Sequence, residues 1–203
     1  MKIYLFNQDR IYNFLLPNEI EGSYSFDSDM ESADKLINVE ARDSKWIIYS
    51  TGDIKLINNG TTSDSLELLN NNFYIISKNG SNYLIYVCDI ESDKMDMYSY
   101  NGLNLIIGNG GNIVYNCPYL GNNQVRIYKQ DEKYILQQTS LGIAFVNNKN
   151  VTEAAIYLQN GDYINIFGFK IIILNNMILM NNPGGKVSIP NFDFGIKPLE
   201  ITD

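Results

Sequence analysis

The chain has 203 residues and an ordinary globular composition, with 45% hydrophobic and 19% charged residues. It contains no histidine, which removes the commonest general base, the commonest metal ligand and every serine–histidine or cysteine–histidine nucleophile pair. Its net charge is −8 and no basic stripe is visible, so nucleic-acid binding and direct adsorption to anionic lipid are both disfavoured.

The first half of the chain predicts short strands separated by turns. Asn-Gly pairs at residues 59–60 and 79–80 supply the positive φ that a tight hairpin needs. Helical periodicity is weak, with one modest candidate at residues 28–36. Trp46 is expected to anchor the core, because its large apolar body suits burial. The predicted strands are residues 2–6, 10–16, 23–26, 36–41, 46–50, 54–57, 73–77 and 83–88.

The second half resumes the same pattern after an acidic, polar stretch at residues 89–96, which is interpreted as a domain junction. Short strands with a turn about every 8–12 residues are typical of a sandwich or barrel. Prolines and glycines from residue 183 onward break the pattern and predict an extended tail. The predicted strands are residues 97–100, 104–107, 124–129, 134–139, 142–146, 154–157, 163–166, 169–174 and 177–180.

Neither the cysteines nor the apolar segments indicate a metal site or a membrane span. Cys88 and Cys117 lack zinc-motif spacing, and they fit either two free thiols in a reducing cytosol or one disulfide between the halves. The most apolar region, residues 164–180, is interrupted by polar residues and falls short of the roughly 20 apolar residues that span a bilayer. Residues 1–10 lack the apolar run of a signal peptide. We expect a soluble chain without a cofactor, a metal or catalytic residues.

Residues 158–168 carry the most specific motif of the chain, Leu-Gln-Asn-Gly-Asp-Tyr-Ile-Asn-Ile-Phe-Gly. Gly161-Asp162 predicts a turn, and the isoleucines that follow alternate toward a core. Together with Ile107-Gly108, this motif resembles the forkhead-associated (FHA) family, whose closing hairpin reads Leu-x-x-Gly-Asp-x-Ile-x-Ile-Gly. One extra residue precedes the final glycine here. The frame of the family's middle segment is matched by Ser140, Val146 and Asn147.

The residues that would read a phosphate in the FHA family do not match. The arginine that follows Ile-Gly in the family is Asn109 here, and the Ser-Arg-x-His loop falls on residues 121–124. The asparagine and glycine that clamp the bound peptide fall on Gly142 and Ile143, and Arg126 is expected outside the pocket. Phosphothreonine recognition relies on cationic donors, so the resemblance implies an FHA-like sandwich that does not read phosphothreonine.

The resemblance extends more faintly to the first half, at residues 22–26, 53–59 and 66–76. Two degenerate FHA-like modules followed by a proline-containing tail resemble the cytosolic N-terminal region of the EssC-type FtsK/SpoIIIE ATPases of Gram-positive type VII secretion systems. In that family the modules precede transmembrane segments and ATPase domains. No Walker motif is present here, so ATP hydrolysis would belong to another part of such a protein.

The resemblance therefore implies an all-β chain with two tandem FHA-like β-sandwich domains, at residues 1–90 and 91–182, and a tail at 183–203. The implied function is non-catalytic docking or scaffolding on the cytoplasmic side of the cell membrane, with protein partners among the secretion components. Asp162 is interpreted as a turn residue rather than a catalytic acid. The candidate protein-binding residues lie in loops that converge if the frame holds: Asn109, Asn122, Asn123, Gln124, Ser140 and Asn147.

Three alternatives stay open for these loops. They fit plain surface loops, because asparagine favours turns irrespective of function. They also fit a phosphopeptide-binding FHA module with altered ligands, or a carbohydrate-binding β-sandwich with exposed tyrosine and asparagine.

Overall fold

The computed structural model of the chain describes residues 1–6, 11–16, 22–26, 37–58, 60–70, 72–88, 97–174, 177–181, 185–190 and 195–198. Every regular element within these ranges is a β-strand, and none of them holds a helix long and apolar enough to cross a membrane. The described residues fall into two compact units, residues 1–88 and 97–198. The predicted junction at 89–96 and the helical candidate at 28–36 lie outside the described residues.

The described residues of the first unit form ten strands. They are β1 (Lys2–Phe6), β2 (Ile11–Leu15), β3 (Gly22–Phe26), β4 (Ile37–Arg42), β5 (Lys45–Tyr49), β6 (Lys55–Asn58), β7 (Thr61–Ser63), β8 (Ser65–Glu67), β9 (Asn72–Lys78) and β10 (Ser81–Cys88). The strand order is β2-β1-β10-β9-β6-β7 in one sheet and β3-β4-β5-β8 in the other. One apolar cluster joins the two sheets, with Ile3 and Leu5 from the first and Val39 and Ile48 from the second. Trp46 packs against this cluster from a partly buried position, so the unit is a β-sandwich.

Thirteen strands lie in the described part of the second unit. They are β11 (Met97–Tyr100), β12 (Asn104–Gly108), β13 (Val114–Tyr115), β14 (Gln124–Gln130), β15 (Lys133–Gln138), β16 (Phe145–Val146), β17 (Lys149–Asn150), β18 (Ala155–Leu158), β19 (Tyr163–Ile166), β20 (Phe169–Leu174), β21 (Met177–Asn181), β22 (Val187–Ser188) and β23 (Ile196–Pro198). The sheet orders are β17-β16-β19-β20-β21-β11-β23, β12-β14-β15-β18 and β13-β22. A second apolar cluster, including Leu105, Ile127, Ile164 and Ile171, joins the two larger sheets. The prediction of an all-β chain built from β-sandwiches is confirmed, whereas its assignment to two tandem FHA-like domains stays a prediction.

Two-residue turns with positive φ close several hairpins, as the sequence predicted. The turn between β9 and β10 is Asn79-Gly80, with φ of 51° and 78°. The turn between β14 and β15 is Asp131-Glu132, with φ of 49° and 61°. Positive φ at both central residues matches the right-handed twist of the paired strands, so these turns fix the hairpin register.

The structure differs from the sequence reading in two segments of the second unit. The strand predicted at residues 142–146 is reduced to β16, because a buried glutamine side chain takes the backbone N–H groups of Ile143 and Ala144. Residues 183–203 were expected to form a tail, but β22 pairs with β13 and β23 pairs with β11 within the described part of that segment. Two- and three-residue strands of this kind are too short to leave a periodic signal.

Candidate functional site

The loops at one end of the second unit meet because three strands end or begin at the same level of one sheet. Gly108 at the end of β12 lies opposite Gln124 at the start of β14, and Thr139 follows the end of β15. The Gln124 backbone N–H donates to Thr139 Oγ1 at 2.9 Å, and Gln124 Nε2 donates to the Asn109 carbonyl at 2.5 Å. Ser140 Oγ donates to Asn123 Oδ1 at 2.7 Å. The structure therefore brings together Asn109, Asn123, Gln124 and Ser140; the loops at Asn109 and at residues 122–124 were expected to converge.

Gly108 allows these loops to approach closely. Its φ is +130°, and a Cβ atom at this position would lie 2.7 Å from the Asn123 carbonyl oxygen. Any other residue would push the two loops apart, since that neighbour is backbone and cannot rotate away. This explains the glycine of the Ile107-Gly108 pair by local packing.

A cleft of about 690 Å³ opens beside this loop cluster. Its volume lies within the range of small-ligand and peptide-side-chain pockets. The ladder between β13 and β22 supports it, and the Asn116 backbone N–H donates to the Lys186 carbonyl at 3.0 Å. The lining residues are Asn109, Val114, Tyr115, Asn116, Cys117, Pro118, Gly121, Asn122, Gly185, Lys186 and Ser188.

The cleft differs in charge from the chain as a whole. Its described lining contains Lys186 and no acidic residue, although the chain carries a net charge of −8. The side chains of Asn109, Asn116 and Asn122 make no hydrogen bond to another described residue. These amides are therefore available to a ligand as neutral donors and acceptors.

Tyr115 forms part of the cleft wall as a neutral phenol. Its hydroxyl donates to the Phe167 carbonyl at 2.7 Å, and its ring lies 5.4 Å from that of Phe169 between centroids. Burial, followed by the nearby Cys117, raises the pKa of Tyr115 to about 12. Cys117 itself is a free, half-buried thiol, whereas the side chain of Cys88 lies outside the described atoms.

Two exposed aromatic rings lie next to the cleft. Tyr119, in the same loop as Pro118 and Gly121, is 80% exposed, and Phe167 is 38% exposed. Their ring centroids are 5.9 Å apart at an interplanar angle of 38°. Phe167 is the extra residue of the closing motif, so its presence could have been noticed from the sequence, but the position of Tyr119 beside it could not.

Asn147 does not join the cleft residues. Its Nδ2 donates to Asp162 Oδ1 at 2.7 Å, and its Oδ1 accepts from the Tyr163 backbone N–H at 3.0 Å. Asp162 Oδ2 also accepts from the Gln159 backbone N–H at 2.7 Å. Both side chains fix the turn before β19, which agrees with the interpretation of Asp162 as a turn residue and gives Asn147 a structural role.

Gln138 is a structural residue that the sequence reading missed. Only 4% of it is exposed. Its Nε2 donates to the carbonyls of Val151 and Glu153 at 2.8 and 2.9 Å, and its Oε1 accepts from Ile143 and Ala144 at 3.2 and 3.3 Å. One amide thus replaces a strand pairing across the 139–154 segment. The burial of Gln138 could have been predicted from the alternation of side chains along β15, because Tyr134, Leu136 and Gln138 lie on the same inward face of that strand.

Of two cations, Arg126 lies where the sequence predicted and Lys186 does not. Arg126 is exposed on β14, where its Nε donates to Asn104 Oδ1 at 2.6 Å and its guanidinium stacks on Tyr128. Arg126 was predicted to lie outside the pocket, and it is not among the residues that line the cleft. Lys186 does line it, and no sequence signal pointed there, because the residue lies in the predicted tail. Among the described residues, no group of three or more cysteine, aspartate or glutamate side chains could hold a metal ion.

Comparison with known proteins gives a weak structural likeness. No protein-family model matches the chain, and no curated protein matches it. A solved structure described as the N-terminal FHA domain from EssC, a component of the bacterial type VII secretion apparatus, aligns with 94% of this chain and 96% of its own. The identity is 12% and the TM-score is 0.36. At that level of similarity, the fold assignment continues to rest on the strand pairing and the two apolar clusters.

Proposed function

We propose that the second unit is a non-catalytic docking module that binds a protein partner through its cleft end. The observation that carries this proposal is the cleft of about 690 Å³, into which Asn109, Asn116 and Asn122 bring amide side chains without a hydrogen-bond partner among the described residues. Polar groups that are not used within the fold are free to form the directional contacts of an interface.

The chemistry of the lining supports binding rather than catalysis. General acid–base work at neutral pH needs a group that titrates near 7. The chain has no histidine, the described residues of the lining include no carboxylate, and burial raises the pKa of Tyr115 to about 12. We therefore propose that the described cleft moves no protons and that its contribution is recognition.

At a finer level, we propose the cytosolic docking region of a membrane-anchored type VII secretion ATPase. The support is the resemblance of residues 158–168 and of Ile107-Gly108 to FHA-like modules of that family. Such a region would lie on the cytoplasmic side of the cell membrane and bind other secretion components, without binding nucleic acid or entering the membrane.

Purified chain immobilised on a sensor surface and probed with the other cytosolic secretion components tests this proposal. We expect at least one of them to bind, and we expect secretion to fall when the region is deleted from the cell. Absence of binding to every component, together with unchanged secretion after the deletion, would contradict it.

Lys186 favours one second candidate, a phosphopeptide-binding module with altered ligands. Lys186 lines the same cleft as Asn109 and Asn122, and a phosphate needs a cationic donor. Titration with matched phosphothreonine and unphosphorylated peptides distinguishes the two functions. This candidate predicts tighter binding of the phosphorylated peptide and loss of that difference in Lys186→Gln, and equal affinities would reject it.

A further inference from the structure

We infer that Tyr119 and Phe167 form the aromatic anchor of the docking surface, and that its occupant is an extended, unphosphorylated acidic segment of the partner protein. The inference rests on the proposed docking function and specifies where the partner binds and what chemistry it carries. Three independent features of the second unit support it: the backbone at Phe167, the rigidity of the pair, and the charge of the adjoining cleft.

The backbone at Phe167 is unusual for the residue it carries. Phe167 and Gly168 form the two-residue turn between β19 and β20, with φ of 48° and 94°. Asparagine, aspartate and glycine adopt positive φ at low cost, whereas a bulky side chain there is an outlier. Such strained residues are concentrated at binding sites. Here the strain presents an aromatic ring to solvent, where it adds nothing to the core.

The aromatic pair is held by the cleft wall. The Tyr115 hydroxyl fixes the Phe167 carbonyl at 2.7 Å, and the Tyr115 ring packs on Phe169, which is fully buried. The Tyr119 ring then lies against the Phe167 ring in a tilted arrangement, with the centroids 5.9 Å apart. Rigid aromatic side chains bury a large area on binding and lose little conformational entropy, which is why they dominate interface hot spots.

The charge of the cleft selects the partner. Among the described residues, Lys186 has no salt-bridge partner and the lining of the cleft has no acidic group. An acidic segment would be repelled by much of a chain with a net charge of −8, so it is held only where Lys186 and the amide donors face it. Charge complementarity of this kind fixes register and excludes basic competitors. A neutral sugar would leave Lys186 without a counter-charge.

Selection from a phage library of random linear 12-residue peptides on the full chain tests the inference. We expect the enriched peptides to contain an excess of aspartate and glutamate together with an aromatic or proline residue that reaches the anchor. Synthetic copies are then titrated by fluorescence anisotropy. Tyr119→Ala and Phe167→Asn should each weaken peptide binding about tenfold or more, as for hot-spot aromatics. Lys186→Gln should make the peptide affinity less dependent on salt concentration.

Tyr157→Ala is the matched control, because Tyr157 is also an exposed tyrosine, at 69%, but lies on β18 away from the cleft lining. It should change affinity less than about twofold. Phe167→Asn suits the turn, so a loss of binding in that variant cannot be ascribed to unfolding, and thermal unfolding of each variant checks this.

Four results would overturn the inference. The first is that no peptide is enriched above an empty surface, and the second is that the enriched peptides are rich in lysine and arginine. The third is that wild type and both anchor variants bind the peptides with equal affinity. The fourth is that the chain binds only glycans on an array or only phosphorylated peptides. Failure of this inference can be distinguished from failure of the proposed docking function. If a secretion component binds the Tyr119→Ala and Phe167→Asn variants as well as it binds wild type, docking stands and the surface is wrong.

Discussion

Amide side chains of the second unit fall into two groups that share a chemistry and differ in what they contact. Gln138 and Asn147 use both their oxygen and their nitrogen on backbone groups or on Asp162, and so hold loops in place. Asn109 and Asn122 line the cleft with no side-chain partner among the described residues. The difference teaches that amide-rich composition alone says nothing about function, because the same group holds the fold when it is satisfied within it and is available to a ligand when it is left open.

Replacing Gln138 should have the largest effect on stability. Gln138→Leu leaves the backbone N–H groups of Ile143 and Ala144 buried without partners, and leaves the Val151 carbonyl with the Gly142 N–H alone. Each such group costs about 1–3 kcal/mol, partly relieved by local movement, so we expect a loss of about 2–4 kcal/mol. Urea unfolding measures the loss, and hydrogen exchange should increase across residues 139–154.

Gln137 provides the control for this change. It is the neighbouring glutamine on β15 and is exposed on the opposite face, so Gln137→Leu should change stability by less than about 0.5 kcal/mol. Equal losses in the two variants would show that the Gln138 amide is not what holds the 139–154 segment.

Asn147→Ala should have the next largest effect. It removes two hydrogen bonds, to Asp162 and to the Tyr163 backbone N–H, and puts alanine at a φ of 50°. We expect a loss of about 1–3 kcal/mol in urea unfolding. Asn148→Ala shares the backbone penalty, at a φ of 62°, but not those bonds. If both variants lose the same stability, the contact with Asp162 contributes nothing measurable.

The sequence predicted the strands of the second unit well and the use of its amides poorly. β19 and β20 have the predicted limits, because alternating apolar residues and a Gly-Asp turn specify them locally. The family frame also predicted that the loops at Asn109 and at residues 122–124 converge, but it wrongly placed Asn147 with them. Local pattern cannot report a partner that is distant in sequence, so the bond from Asn147 to Asp162 and the position of Lys186 in the cleft were missed.

Tyr115→Phe tests whether the cleft wall holds the aromatic anchor. At neutral pH the loss of its bond to the Phe167 carbonyl should cost about 1 kcal/mol. The folded-state pKa of about 12 exceeds the usual value near 10, so the protonated phenol stabilises the fold fully below pH 10, and this contribution is lost as the pH rises through 12. Three other tyrosines have raised pKa values through burial: Tyr74, Tyr134 and Tyr163.

The measurement is therefore the difference in unfolding free energy between wild type and Tyr115→Phe from pH 8 to the alkaline limit of reversible unfolding. The wild type should lose its stability advantage over Tyr115→Phe as the pH rises above 10. A constant difference over the whole range would mean that Tyr115 ionises in the folded state as easily as in the unfolded chain.

Phe167 allows strain to be separated from recognition. Phe167→Ala and Phe167→Asn both remove the ring, but asparagine tolerates a φ of 48° better than alanine. Phe167→Asn should therefore be more stable than Phe167→Ala by about 0.5–1 kcal/mol in urea unfolding, while both lose peptide binding. Equal stabilities of the Phe167→Asn and Phe167→Ala variants would show that the turn carries no measurable strain.

The smallest effect on stability is expected where the amides are open. Asn109→Ala and Asn122→Ala remove side chains without hydrogen-bond partners among the described residues, so each should change the unfolding free energy by less than about 0.5 kcal/mol. The same variants should weaken binding of an enriched peptide, because an interface amide that donates to the partner is lost. Binding that is unaffected in both would make these residues plain surface loops, and a loss of stability equal to that of Asn147→Ala would erase the distinction between the two groups of amides.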